Sequence, residues 1–303
     1  MRMTIVWILI AGLILILAAA GLYFTRLLIT PRMFSSQASY TIEVEYGRLD
    51  EAAFTAYEKQ EVRIPSPFGY SLYGLYFPCQ DAKKTVILAH GITYTLYGTA
   101  KYFDMFRQRG FNVLMIDHRH HGQSGGASIT YGYYEKHDLA AWFEWALAAT
   151  GPDGRVGTLG ESLGGAIVLQ HAALEPRLAF VIADCPFSDL RRLLTLRLRA
   201  DYHLPPFPLL PVATMFTRLL SGLEIGAVSP LRDMPYVQAP LLIAHGMLDS
   251  YVPAFMGEEL YAAKTQGIRR LYLVPGAKHA EAYLIDPPAY DRQVEAFLRE
   301  AAI

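Results

Sequence analysis

Two pentapeptides in this chain read G-x-S-x-G: Gly160-Glu161-Ser162-Leu163-Gly164 and Gly122-Gln123-Ser124-Gly125-Gly126. A serine hydroxyl attacks a carbonyl carbon only when a neighbouring base takes its proton and a third group orients that base. Each serine therefore needs a histidine and an acid brought to it. The Ser124 stretch, 117-DHRHHGQSGG-126, carries His118, His120 and His121 beside it. It could be read as a metal site or as a serine with its base at hand. Ser162 has no histidine nearby in sequence, and any base must come from elsewhere in the chain.

The elements around each serine discriminate between them. Short runs at residues 61–64, 70–77, 85–89, 112–116, 155–159, 179–183, 240–244 and 270–274, most of them apolar, have the length and composition of strands. Helical periodicity lies between several of them, at about residues 97–109, 135–149, 163–173 and 288–301. Apolar strands alternating with helices predict a mostly parallel eight-stranded sheet covered on both faces, with the pair at 61–77 as an antiparallel edge. In such a sheet, ligands bind at the carboxyl ends of the strands.

Ser162 follows the run at 155–159 and opens the apolar stretch 163-LGGAIVLQHAAL-174, the strand–turn–helix setting of a nucleophile elbow. Ser124 is followed by 127-ASITYGYYE-135, a polar and aromatic loop, so its pentapeptide is expected to be a decoy. Asp249 follows the run at 240–244, and His279 follows the run at 270–274. The order Ser162, Asp249, His279 places three chemically matched residues after three strands of one sheet. Asp184 is an alternative acid. His90 and His245 are expected to pack at strand ends. No carboxylate or cysteine cluster converges on the three histidines in sequence, and no metal or other cofactor is expected.

These residues carry a resemblance. His90-Gly91, 117-DHRHHGQS-124, Gly160-Glu161-Ser162-Leu163-Gly164, Gly246-Met247-Leu248-Asp249 with Val252-Pro253, and Gly276 with His279 together resemble the α/β-hydrolase superfamily. The similarity is to its membrane-anchored, serine-aminopeptidase-like and monoacylglycerol-lipase-like branches. It extends from about residue 60 to the end, and it departs from the pattern at His120, where relatives commonly carry glycine. The resemblance implies Ser162 as nucleophile, His279 as base and Asp249 as its orienting acid. It implies backbone N–H groups of Ile92 and Leu163 as the oxyanion hole, and a bracing role for 117–124 at the rim of the site.

About 55 residues separate the runs at 179–183 and 240–244, and this insertion reads as helical. Leu190, Leu193, Leu194 and Leu198 share one helical face, a proline-rich 204-LPPFPLLP-211 follows, and a second apolar helix covers 212–220. A cap is expected at about 186–238. Its leucine, phenylalanine and proline content points to an acyl or lipid-like ester or thioester as substrate. A peptidase would want acids in the cap to grip an amino terminus, and Asp189, Asp201, Glu224 and Asp233 are scattered. A non-catalytic binding protein would need none of Ser162, Asp249 and His279.

Residues 3–25 contain no charge. As a helix they would span about 34 Å, against a hydrocarbon core of roughly 30 Å. A single-pass anchor is expected there, with a linker over 26–60 and the hydrolase domain over 61–303. The competing reading is a signal peptide cut at Ala18-Ala19-Ala20. The positive charges on the two flanks are too few to orient the span. With 27 basic and 28 acidic residues the chain has no electrostatic case for a nucleic-acid partner. Cys79 and Cys185 are expected to be free thiols.

Overall fold

The computed structural model describes residues 2–303. The chain opens with α1 (Arg2–Ile29), α2 (Ser36–Glu45) and α3 (Glu51–Ala56). Eight strands follow: β1 (Gln60–Pro65), β2 (Ser71–Phe77), β3 (Lys84–Ala89), β4 (Asn112–Ile116), β5 (Arg155–Glu161), β6 (Val181–Asp184), β7 (Leu241–Gly246) and β8 (Arg269–Val274). Among the described residues they form one sheet in the order β1-β2-β4-β3-β5-β6-β7-β8. β2 pairs antiparallel with both β1 and β4, and the strands from β3 to β8 run parallel. Every apolar run identified above is a strand of this mixed sheet.

Alternation along the central strands shows why both faces are covered. Val86 and Leu88 of β3, with Val113 and Met115 of β4, enter one apolar cluster; Ile87 and Ala89, with Leu114 and Ile116, enter the other. Successive side chains of a strand point to opposite faces, so a run with no polar member must bury both. A 3-10 turn (Leu96–Tyr102) leads into the short α4 (Phe103–Arg107), where a single helix over 97–109 was expected. Then come α5 (Glu135–Thr150) and α6 (Leu163–Ala172). Between β6 and β7 stand α7 (Leu190–Tyr202), α8 (Leu209–Ser221) and the single turn α9 (Pro230–Asp233). The chain closes through α10 (Phe255–Ala263), α11 (Ala282–Ile285) and α12 (Pro287–Glu300).

The stretch expected as a surface linker is folded onto the domain instead. Ser35 and Asp50 cap α2 and α3, each accepting from a backbone N–H three residues on. Phe54 of α3 is buried, with its ring 5.1 Å from Phe77 and 5.7 Å from Phe103. One aromatic anchor in a polar stretch is a weak sequence signal, which is why composition alone reads the segment as loop.

α1 divides in two. From Arg2 to Ala20 no residue is buried; from Gly21 onward the helix packs on the domain, burying Gly21, Thr25 and Ile29. Gly21 faces Val212 of α8 so closely that a Cβ there would collide with the valine side chain. Thr25 Oγ1 donates to the Ala213 carbonyl of α8 at 3.1 Å, and the Leu28 carbonyl accepts from Tyr131 Oη at 3.1 Å.

Truncating Phe54→Ala should cost about 3–5 kcal/mol of stability, the usual range for an emptied aromatic core site. Urea unfolding of the detergent-solubilised protein measures it; a cost below about 1 kcal/mol would mean that α3 is only loosely attached.

Candidate active site

The register of the parallel strands brings their carboxyl ends to one edge. Ala89 of β3 lies opposite Gly160 of β5, Glu161 opposite Asp184 of β6, and Gly246 of β7 opposite Val274 of β8. Ser162 sits at the turn from β5 into α6 with φ 54° and ψ −111°, a backbone conformation disfavoured for a residue with a side chain. The flanking glycines allow it. A Cβ on Gly160 would collide with the Gly164 carbonyl, and one on Gly164 with the Ala89 carbonyl. Ser162 N–H donates to the Asp184 carbonyl at 2.8 Å, fixing the turn to the next strand.

The three residues singled out in sequence meet here. His279 Nδ1–H donates to Asp249 Oδ2 at 2.7 Å. With that proton on Nδ1, the neutral ring has its lone pair on Nε2, which accepts from Ser162 Oγ at 2.8 Å. Asp249 Oδ1 accepts from the N–H groups of Tyr251 and Val252 at 2.9 and 2.8 Å. Burial alone would raise the pKa of Asp249. Hydrogen bonds from His245 and His279, with the backbone donor, outweigh it and hold the carboxyl at about 2. The carboxylate is thus ionised at neutral pH. Serine, imidazole and carboxylate form one hydrogen-bonded relay of the kind that can activate a hydroxyl.

The N–H of Leu163 heads α6, and the N–H of Ile92 follows Gly91, whose Cα lies close to Ser162. Among the described residues neither donates to a protein acceptor. The Ile92 donor is aimed by its neighbour. His90 Nδ1–H donates to the Gly91 carbonyl at 2.7 Å, which belongs to the same rigid peptide unit as Ile92 N–H. His90 Nε2 in turn accepts from the backbone N–H of His118 at 3.1 Å. Both ring positions are therefore fixed, and full burial, with the rings of His118 and His121 nearby, keeps His90 neutral.

The opening histidines separate along this line. The rings of His118 and His121 lie 4.5 and 4.8 Å from that of His90, all three buried. Burial pushes His118 down to about 3 and His121 to about 4. His120 instead turns through φ 61° and bonds the Gly126 carbonyl. Ser124 Oγ donates to the Asp117 carbonyl and accepts from Tyr73 N–H, so it braces the loop at a distance from His279. Asp117 accepts from the N–H groups of Leu96 and Gln123.

Sequence reasoning missed what lies behind the serine. The Lys101 ammonium is buried against the Glu161 carboxylate and donates to the Ala280 carbonyl at 3.1 Å. Tyr102 Oη lies 2.8 Å from Glu161 Oε2 and 2.9 Å from Asp184 Oδ2. Burial by itself would lower the pKa of Lys101, but the Glu161 charge overrides it and raises it. Asp184, the alternative acid, belongs to this network and not to His279. His245 also does more than pack: its Nε2–H donates to the Val252 carbonyl at 2.8 Å, with Asp249 Oδ2 at 3.4 Å. Cys185, Asp249 and His279 bring three possible metal-ligand atoms within 4.8 Å of one another. Both nitrogens of His279 are already engaged, however, and burial keeps the Cys185 thiol protonated, so they are not three free ligands.

The family described as "Serine aminopeptidase, S33" matches residues 80–230. The YqkD protein of Bacillus subtilis is 35% identical over 291 residues, 95% of each chain. The chain belongs to the α/β-hydrolase superfamily. Among solved structures, the Pyrococcus furiosus esterase Pf2001 superposes with a TM-score of 0.66 at 23% identity, over 82% of this chain and 95% of that one. The Pyrococcus horikoshii acylaminoacyl peptidase gives 0.59 at 17% identity, over 84% of this chain and 42% of that one. At these identities the two structures speak for the shared fold. Members of this fold host many chemistries, and the substrate must be argued from the site.

Replacing Lys101→Met strands the buried Glu161 carboxylate and should destabilise the protein by about 3–5 kcal/mol. Adding Glu161→Gln should recover part of that loss. Equal losses for the single and the double variant in urea unfolding would show that the pair does not act as a unit.

Proposed function

We propose that this protein is a membrane-anchored serine hydrolase that cleaves the carboxylic ester or thioester of an acyl, lipid-like substrate. The observation that carries the reading is the continuous hydrogen bonding from Ser162 through His279 to Asp249 beside two free backbone donors. Ser162 Oγ attacks the carbonyl carbon while its proton passes to His279 Nε2. The new oxyanion takes hydrogen bonds from Ile92 N–H and Leu163 N–H, each of a kind typically worth about 100- to 1,000-fold in rate. His279 then hands the proton to the departing alcohol or thiol, leaving an acyl-enzyme. Water, deprotonated by the same imidazole, releases the acid and restores the serine. Asp249 keeps the Nδ1 proton in place and stabilises the imidazolium at each stage.

A peptidase reading draws support from the family description and from the acylaminoacyl peptidase fold match. The acids of the cap, however, are already engaged. Asp189 caps α7, Asp201 is paired with Arg197, and Glu224 lies 3.9 Å from Arg218. Burial raises the pKa of Asp233. The contacts of the first three compete with any substrate ammonium.

The membrane part of the reading rests on α1. Its exposed portion, residues 2–20, would span about 28 Å, close to the thickness of a hydrocarbon core. α8, packed against its inner end, leaves Met215, Leu219 and Leu220 exposed and widens the apolar surface there. We assign 2–20 as the anchor, the rest of the chain as the hydrolase unit, and the helices between β6 and β7 as its cap.

A fluorophosphonate probe should label the wild-type protein and Ser124→Ala, and fail on Ser162→Ala. Full labelling of Ser162→Ala would remove Ser162 as nucleophile. Deleting residues 2–20 should move the protein from the membrane pellet to the supernatant after alkaline extraction; retention in the pellet would place the membrane contact elsewhere.

A further inference from the structure

A cavity of about 260 Å³ opens between α1, α7 and α8. Phe24, Leu27 and Leu28 of α1 form one wall; Leu194 and Leu198 of α7 and Ala213 of α8 form the others. Its floor reaches Ile92 and Tyr251, whose ring lies 5.0 Å from that of His279. The two charged residues at its edge cancel each other. Arg197 is paired with Asp201, donates to the Ser250 carbonyl at 2.8 Å, and lies over the Tyr251 ring at 4.6 Å. The space between is therefore lined mostly by hydrocarbon, reaches the His279 side of the site through Tyr251, and presents no uncompensated charge.

We propose that this cavity is the acyl subsite, and that the inner end of the N-terminal helix is one of its walls. The ligand it takes is the hydrocarbon tail of an acyl ester, lying with its carbonyl at Ser162 and its chain against Phe24, Leu27 and Leu28. The inference rests on the ester reading above and adds the location of the tail. The architecture supports it twice over. α1 is held in this position by hydrogen bonds between residues of the cavity wall and its surroundings, from Thr25 to the Ala213 carbonyl and from Tyr131 to the Leu28 carbonyl. Phe24 and Tyr202 meet edge to face at 4.8 Å, joining α1 to α7 across its mouth. The helix that places the enzyme at a bilayer thus also contributes surface on which the chain of a bilayer amphiphile can lie.

Each buried methylene should strengthen binding by about fourfold, about 0.8 kcal/mol, until the cavity is full. The test uses full-length protein in nanodiscs and p-nitrophenyl esters from acetate to dodecanoate. For the wild type, kcat/KM should climb with chain length to a maximum and then fall. Leu28→Trp, which fills the cavity from α1, and Leu194→Trp, which fills it from the cap, should each lower the decanoate-to-acetate ratio at least tenfold. Leu194→Ala should shift the maximum to longer chains, a change of opposite sign that misfolding would not produce. If all three variants keep the wild-type profile within twofold, the tail binds elsewhere and the inference falls while the ester reading stands. If the wild type labels at Ser162 yet hydrolyses no ester of any length, both fall.

Discussion

Lys101 lies almost fully buried between the two halves of the site. Its ammonium meets the carboxylate of Glu161, one residue before Ser162, and donates to the carbonyl of Ala280, one residue after His279. Ser162 is held in a disfavoured conformation and His279 stands on a loop, so neither position would be secure alone. The same cation ties both to the core. A buried charge is costly unless it is paired and hydrogen-bonded, and this pairing exists only when the turn after β5 and the loop after β8 are both in place. Tyr102 extends the tie to Asp184, whose carbonyl accepts from Ser162 N–H. The 2.8 Å separation of Ser162 Oγ and His279 Nε2 depends on this arrangement as much as on the two residues themselves.

A second chain of contacts fixes the Gly91–Ile92 peptide beside Ser162. The backbone of His118 holds His90, His90 holds the Gly91 carbonyl, and the Gly91–Ile92 peptide points its N–H. The histidine-rich stretch that invites a metal-site reading acts here through one main-chain donor. The rings of His118 and His121 are driven neutral by burial, and Ser124, for all its glycine-rich surroundings, is spent on bracing the loop. Type and spacing made 117–126 look like chemistry; its partners make it support.

The sheet was legible because its inner strands are short apolar runs that bury both faces, and burial of that kind leaves a composition signal. Ser162, Asp249 and His279 were legible because each follows such a run directly. Lys101, Tyr102 and the roles of His90 and His245 were not, since their meaning comes from partners distant in sequence: Lys101 meets Ala280 and Tyr102 meets Asp184. A lysine in 99-TAKYFDMF-106 reads as an ordinary surface position of a helix. α2 and α3 were missed for a related reason, since a mixed polar sequence that buries only isolated residues such as Leu49 and Phe54 has little periodicity to detect.

The N-terminal helix marks where hydropathy runs out as a guide. Residues 3–25 are uniformly apolar, and a sequence reading makes them one membrane span. The fold divides them at Gly21, because protein and lipid are alike in being apolar partners and only shape tells them apart. A glycine lets α8 approach, and a threonine four residues later finds a carbonyl on that helix. The outer part buries no residue, and the inner part packs on the domain. Cleavage after Ala20 would separate the two at this boundary and leave the cavity wall intact, so the wall and the anchor are independent properties of one helix. That independence has a simple geometric basis: the exposed apolar residues and those that face the cavity lie in successive turns and do not compete for the same surface.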